Sequence, residues 1–326
     1  MFYFALKVIK EDIIKKLQIE LGDPRNISIR GNNLDEVRLP SELSGVLLPV
    51  NLLASKYCPT NRDIFLKIVK KKSPPLTWPS YQGKIIHDLY FKLFTSVRQY
   101  IVKKNIIQRI DLFKHVHRCG QQFLSNLKKD INGEISAIRN KPSKTEKEAF
   151  LRNLSKLIRM ESEIVSTLID YSIATNFDVR LDSEFSRIFP FQHEIALNAT
   201  PLGFSKGVKP DFIYSHGGAL VVGDIKTGKL KEFHKLILAA YALAYEYEES
   251  IPVNFGVILN VNFSNKRNVP IYKETEIMVI SDKYRQAFLR LRDEKFEVVK
   301  NRIDPGLPSS ENACIECPYS EYCRGP

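Results

Sequence analysis

The sequence predicts an α/β protein with a long helical region, a sheet-forming half and a cysteine-bearing tail. Three observations carry that expectation. From Gly83 to about Thr175 apolar residues recur at spacings of three and four, and proline is almost absent. After Phe189 and Pro190 the texture changes to short β-branched and aromatic runs separated by turn signals. The last residues place Cys314, Cys317 and Cys323 in a C-x2-C-x5-C pattern, with Cys58 far upstream.

Taken in order, residues 1–50 mix short apolar runs with turn signals and carry no nameable chemistry. Residues 46–54 lead into a helix ending at Cys58, and residues 62–69 have helical periodicity before a Lys-Ser-Pro break at 70–75. A helix begins at Gly83, and Lys141-Pro142-Ser143 is a loop that splits the helical region. His193, Ile195 and Leu197 alternate with Glu194 and Ala196 as in a strand. Residues 212–214 and 219–222 read as strands joined by the hairpin loop Ser215-His216-Gly217-Gly218. A helix over 231–246, strands over 255–259 and 276–280, and a charged amphipathic helix over 282–299 follow. No internal repeat or low-complexity tract is present. The expected organisation is one interlinked globular unit: an N-terminal segment (1–82), a basic helical region (83–180), a core (181–300) and the cysteine tail (301–326).

The 326 residues suffice for a full hydrophobic core, and 44% hydrophobic with 26% charged residues is ordinary for a soluble globular protein. The longest apolar stretch, 236–245, is about half a membrane span. The first residues lack a basic region and a cleavage site, so no signal peptide is expected. Five cysteines then point to the reducing cytoplasm and to metal ligation over disulfides. The net charge is +12, and residues 101–160 hold fourteen Lys/Arg, among them Lys103, Lys128, Lys129 and Arg152, against five Asp/Glu. Such a block suits a polyanion, most simply a nucleic-acid backbone. A solvated helical face is the bland alternative, and an acidic membrane surface the weaker one.

Asp211 follows Pro210, and Asp224-Ile225-Lys226 ends the next apolar run, giving PD-x(n)-(D/E)-x-K. Phosphodiester hydrolysis puts negative charge on the attacking and leaving oxygens. A hard divalent cation held by carboxylates offsets it. Asp211 at the start of one strand and Asp224 near the end of its hairpin partner would meet at one sheet edge. Asp224 and Lys226, two apart on an extended segment, share a face. The competing reading is an exposed hairpin with salt-bridged ends. Residues 223–229 also fit G-x4-G-K after a strand. Leu230 stands where a phosphate-binding loop needs Ser or Thr, however, and Asp224 inside it would face the phosphates. His87, four after Gly83, is the fourth candidate. In His115-Val116-His117-Arg118-Cys119, His115 and Cys119 share a helical face while His117 points away, so Cys119 reads as a buried thiol. Four thiolates at Cys58, Cys314, Cys317 and Cys323 would suit zinc or an iron–sulfur cluster and would tie the chain ends together.

One cysteine, G-x3-H, PD, DIKTG, a helix bearing a tyrosine and C-x2-C-x5-C, in that order, resemble a known family. It is the CRISPR-associated iron–sulfur exonucleases, RecB-like members of the PD-(D/E)XK superfamily. Tyr57-Cys58-Pro59-Thr60-Asn61-Arg62-Asp63 looks like the longer archaeal branch, associated with type I-A systems. The resemblance spans about residues 50–326. It implies a PD-(D/E)XK nuclease core, a mixed central sheet flanked by helices, with a helical insertion and a C-terminal four-cysteine cluster. It further implies a [4Fe–4S] cluster on Cys58, Cys314, Cys317 and Cys323. The active site would use His87, Asp211, Asp224 and Lys226, with Mn²⁺ or Mg²⁺ on His87 and the two acids. Glu194 matches a family acid before the PD motif, and Tyr241 the tyrosine of Q-x3-Y. Asp224 stands where Glu is commoner. Ile237 replaces the motif's glutamine, leaving His234 or Lys235 as the nearest polar substitutes.

The activity so implied is a metal-dependent DNA exonuclease preferring single-stranded ends, trimming spacer precursors in CRISPR adaptation. Its partners would be DNA and the CRISPR integrase complex, with no membrane. Two other classes compete: a weakly catalytic DNA-binding adaptor for the integrase, and the nuclease subunit of a DNA-repair complex. The second would need a separate motor, because the chain carries no motor motif.

Overall fold

Hairpin pairing and one parallel crossover set the architecture. The structure, a computed structural model, describes residues 26–103, 108–175, 191–193, 195–216, 219–263 and 272–324. The strands are β1 (Phe191–Gln192), β2 (Phe212–His216), β3 (Ala219–Lys226), β4 (Phe255–Asn262) and β5 (Tyr272–Val279), side by side in that order. β1 with β2, β2 with β3 and β4 with β5 are antiparallel; β3 and β4 are parallel. A parallel pair needs a crossover, and the helix over 233–249 supplies it.

The helices are α1 (Leu34–Val37), α2 (Val50–Ala54), α3 (Arg62–Ile64), α4 (Trp78–Lys103), α5 (Arg109–Glu134), α6 (Lys144–Thr175), α7 (Phe233–Glu249), α8 (Asp282–Asn301) and α9 (Ser320–Arg324). β3 and β4 are buried almost throughout, as central strands covered on both faces must be. On one face Phe212, Tyr214, Val221, Ile225, Val257 and Leu259 pack with α4, α5 and α6. On the other, Ile213, Val222 and Ile258 pack with α7, α8 and the N-terminal segment. Successive residues of one strand thus feed opposite cores.

The N-terminal segment is more than connection. Glu246, 1% exposed, accepts from the fully buried Arg285 at 2.6 and 3.0 Å, from Arg30 at 2.7 Å and from Gly31 N–H at 3.0 Å. A buried carboxylate needs that degree of pairing. A Cβ on Gly31 would fall 1.9 Å from Leu243 O, so only glycine lets the chain pass this close to α7.

Several boundaries differ from the sequence reading. α4 starts at Trp78, before Gly83, because Thr77 and Ser80 bond each other across its first turn and Pro79 is tolerated there. α2 stops at Ala54, short of Cys58. Lys295 of α8 takes the carbonyl of Leu52 at 2.6 Å, and Pro59 disfavours a helical Cys58. The strand expected around 193–197 is only Phe191–Gln192, with a single bridge from Leu197 to Val208. The ladder ends there because Gln192 pairs with Ile213, and β2 begins just one residue earlier. Ser215 and His216 belong to β2 and pair with Leu220 and Ala219, so the hairpin loop is shorter than expected. Lys141-Pro142-Ser143 does split α5 from α6. Ser143 and Glu146 cap α6 reciprocally, at 2.8 Å to the Ser143 N–H and 3.2 Å to the Glu146 N–H. Among the described residues no helix is long and apolar enough to cross a membrane.

Candidate active site

Four of the residues singled out by the sequence meet at one edge of the sheet. Asp211 immediately precedes β2, and Asp224 and Lys226 lie at the end of β3, across the hairpin. Asp211 Oδ2 accepts the N–H of Ile225 at 2.6 Å, which leaves Oδ1 turned to α4. There His87 Nδ1 stands 3.2 Å away. Lys226 Nζ lies 2.6 Å from Asp224 Oδ2, confirming that these two share a face. Apart from Lys226, Asp224 Oδ2 has no hydrogen-bond partner among the described residues, so it is a buried acceptor with unused capacity.

Gly83 explains how helix and strand come so close. It lies one turn before His87 on the same face, and a Cβ there would stand 2.9 Å from Thr227 Oγ1. Tyr241 of α7 is buried, and its pKa is raised by burial and then by the charges of Asp224 and Asp211.

The electrostatics are those of a tight mixed-charge cluster. Burial pushes Asp224 up to about 6; Lys226 opposes this and Asp211 adds to it. Burial also works against charge on Asp211, but the His87 hydrogen bond and the His87 and Lys226 charges hold its carboxyl below the usual value. For His87 and Lys226 burial disfavours the cation, and the neighbouring carboxylates win, raising both pKa values. As the side chains stand, no three His, Cys, Asp or Glu among the described residues are arranged to hold one metal ion. Glu194 lies outside the described residues.

The cysteine tail docks on the segment that carries Cys58. Arg62 grips Asp304 with two bonds of 2.8 Å, and Thr60 Oγ1 donates to Gly306 O at 2.9 Å. Cys58, Cys314 and Cys317 are buried, Cys323 is half-buried, and all are free thiols. Cys317 feels the charges of Cys58 and Cys323, and Cys323 those of Cys58 and Cys314. Burial pushes the Cys317 thiol up to about 11. Cys119 stays apart on α5, 3.9 Å from His115 Nε2, while His117 stacks on Phe113. It is half-buried rather than buried, because it sits toward the solvent side of α5 beside His115.

A family profile described as "CRISPR-associated exonuclease Csa1" matches residues 12–326. The chain belongs to this family. Two curated Csa1 relatives are similar over nearly their whole length. "CRISPR-associated exonuclease Csa1" of Saccharolobus solfataricus is 27% identical over 313 residues, 95% of each chain. The protein of the same name from Thermoproteus tenax is 26% identical over 318 residues, 96% of each.

For this Csa1 family member the structure also supplies neighbours that no motif marks. His193 packs on Phe91 and Phe94 and, with His87, Asp211 and Ile225, lines a cavity of about 20 Å³ beside the acids. Ile237 is buried in the core of α7. Of its two polar neighbours, Lys235 pairs with Glu276 at 2.8 Å, while His234 lies in the field of Lys226. The phosphate-loop alternative has no support. Gly228 N–H is bonded to Asn262 Oδ1 at 2.6 Å, and α7 starts only at Phe233.

Proposed function

We propose that this protein is a metal-dependent DNA exonuclease acting on single-stranded ends, built on a PD-(D/E)XK core. The observation that carries the reading is the convergence of Asp211, Asp224, Lys226 and His87 at one sheet edge. The relatives' name, "CRISPR-associated exonuclease", supports the same class of reaction.

Two carboxylates and one imidazole suit Mn²⁺ or Mg²⁺, and the buried Asp224 Oδ2, whose one partner among the described residues is Lys226, is an acceptor such a cation would satisfy. A divalent cation on His87, Asp211 and Asp224 supplies charge for the oxyanions of phosphodiester hydrolysis. The chain's own residues do the rest. The Ile225 N–H fixes the rotamer of Asp211 and so aims Oδ1. The buried Tyr241, in the field of both acids, adds an aromatic ring to their poorly solvated surroundings. Lys226 presents an ammonium to the scissile phosphate, where a fixed charge in a poorly solvated site counts most. Glu194, as the acid before the PD motif, and Tyr241 complete the catalytic set. Lys128, Lys129 and Arg152 on the exposed sides of α5 and α6 carry the DNA backbone.

Cys58, Cys314, Cys317 and Cys323 hold a [4Fe–4S] cluster that pins the tail to the Cys58 segment. The biological setting in this reading is trimming of spacer precursors in the cytoplasm during CRISPR adaptation, alongside the integrase.

Linear and circular single-stranded DNA of one sequence separate the possibilities. The linear strand, end-labelled, should shorten from its ends with Mn²⁺ and stay intact with a chelator, and the circle should survive. Equal cleavage of the circle would make the protein an endonuclease. No Mn²⁺-dependent cleavage by iron-loaded protein would favour the DNA-binding adaptor.

A further inference from the structure

β4 is apolar throughout its buried length except at Asn260. That side chain is 3% exposed, and its Oδ1 has no hydrogen-bond partner among the described residues. A buried amide with an unused acceptor costs stability that Leu or Val at the same place would not. Its position gives a reason to keep it. In the parallel ladder Asn260 is the register partner of Lys226, while Asp224 faces Ile258. Register partners on neighbouring strands point to the same face, about 4.8 Å apart. Asn260 and Lys226 therefore stand side by side.

Lys226 now rests on Asp224 Oδ2. If that oxygen is to ligate a cation, Lys226 has to withdraw, because two positive charges at bonding distance on one oxygen repel strongly. Tyr57 also acts on Lys226, but its ring already carries the Lys231 ammonium, 4.6 Å from the centroid. Asp211 is itself a ligand in this reading, and Ile258 offers none. His234 Nδ1 already accepts the Lys231 N–H. Asn260 Oδ1 is neutral, unpaired among the described residues, and carried by the register partner of Lys226.

We propose that Asn260 is a positioning residue for Lys226, its Oδ1 receiving the ammonium when the lysine leaves Asp224. The inference rests on reading Asp224 as a cation ligand. A neutral acceptor holds the lysine without competing for the cation, and leaves donors free for the substrate phosphate.

The test is Mn²⁺ binding in the absence of DNA, followed by the electron paramagnetic resonance signal of free Mn²⁺. Asn260→Leu should weaken binding about tenfold, the scale of one hydrogen bond to a charged group, because Lys226 loses its neutral acceptor. Asn260→Thr, which retains an acceptor, should recover most of the loss. In a Lys226→Met background the Asn260→Leu change should have no effect on Mn²⁺ binding, since there is no ammonium left to place. A purely structural role for Asn260 predicts equal losses in both backgrounds, and that result would overturn the proposal. So would wild-type Mn²⁺ affinity in Asn260→Leu with its melting temperature maintained. Asp224→Asn is run in parallel. If it leaves Mn²⁺ binding unchanged, the ligand reading itself falls, and this inference falls with it for a separately recognisable reason.

Discussion

His87 Nδ1 lies 3.2 Å from Asp211 Oδ1, joining the first long helix to the mouth of the hairpin. Gly83, one turn earlier on the same helix face, lies against Thr227, whose Oγ1 would stand 2.9 Å from a Cβ there. G-x3-H is thus one device: the glycine brings the helix up to β3, and one turn later the histidine reaches the acid. If His87 is a ligand, His87→Ala should raise the Mn²⁺ concentration needed for half-maximal cleavage and leave metal-free DNA binding unchanged. A lowered melting temperature with the same Mn²⁺ midpoint would make His87 a packing residue.

The tail makes a different kind of prediction. Arg62 with Asp304 and Thr60 with Gly306 fasten it beside Cys58, so cluster and fold should stand or fall together. Cys58→Ser and Cys323→Ser should each yield colourless, less stable protein. Wild type and Cys119→Ser should be brown after anaerobic purification, with about four irons per chain. One zinc per chain, or iron loss on changing Cys119 and not Cys58, would contradict the assignment.

Much of this was legible in the sequence because its signals are local. Asp224 and Lys226 share a face through strand alternation alone, and Lys141-Pro142-Ser143 marks the break between α5 and α6. Hairpin logic was enough to bring Asp211 to Ile225. What could not be read depends on contacts distant in the chain. Arg30 and Gly31 look like ordinary loop residues until Glu246 is placed beside them. Asn260 falls just past the strand read over 255–259, until the parallel register sets it in β4 beside Lys226. β1 was misplaced because alternation marks which residues can pair, not where the partner strand begins.

His234 gives the fold an acid-sensitive point. Its Nδ1 accepts the Lys231 N–H at 3.2 Å, so the neutral ring is built into the turn entering α7. Burial, then Lys226 and Lys231, push its pKa down to about 4. An unfolded histidine titrates near 6.5, so between those values the unfolded chain binds the extra proton. The contribution is complete above pH ~6.5 and is lost as pH falls toward 4. His234→Asn should therefore lose less melting temperature than wild type between pH 7.5 and pH 5. Parallel melting curves across that range would contradict the assignment.

The basic face should show itself in salt. Lys128 and Lys129 are exposed near the end of α5, and phosphates bound there would release counterions. Reversing both charges should weaken DNA binding and flatten its dependence on salt by about two counterions. An unaltered slope would place the DNA path on another surface.

The central claim is that the acids and lysine at the sheet edge cut DNA. Iron-loaded wild type, Asp211→Asn, Asp224→Asn and Lys226→Met should be compared on one end-labelled single strand with saturating Mn²⁺. Each substitution should slow nucleotide release by about two to three orders of magnitude, the scale of one lost electrostatic stabiliser, while melting as a folded protein. Three folded variants cutting at the wild-type rate would contradict the account.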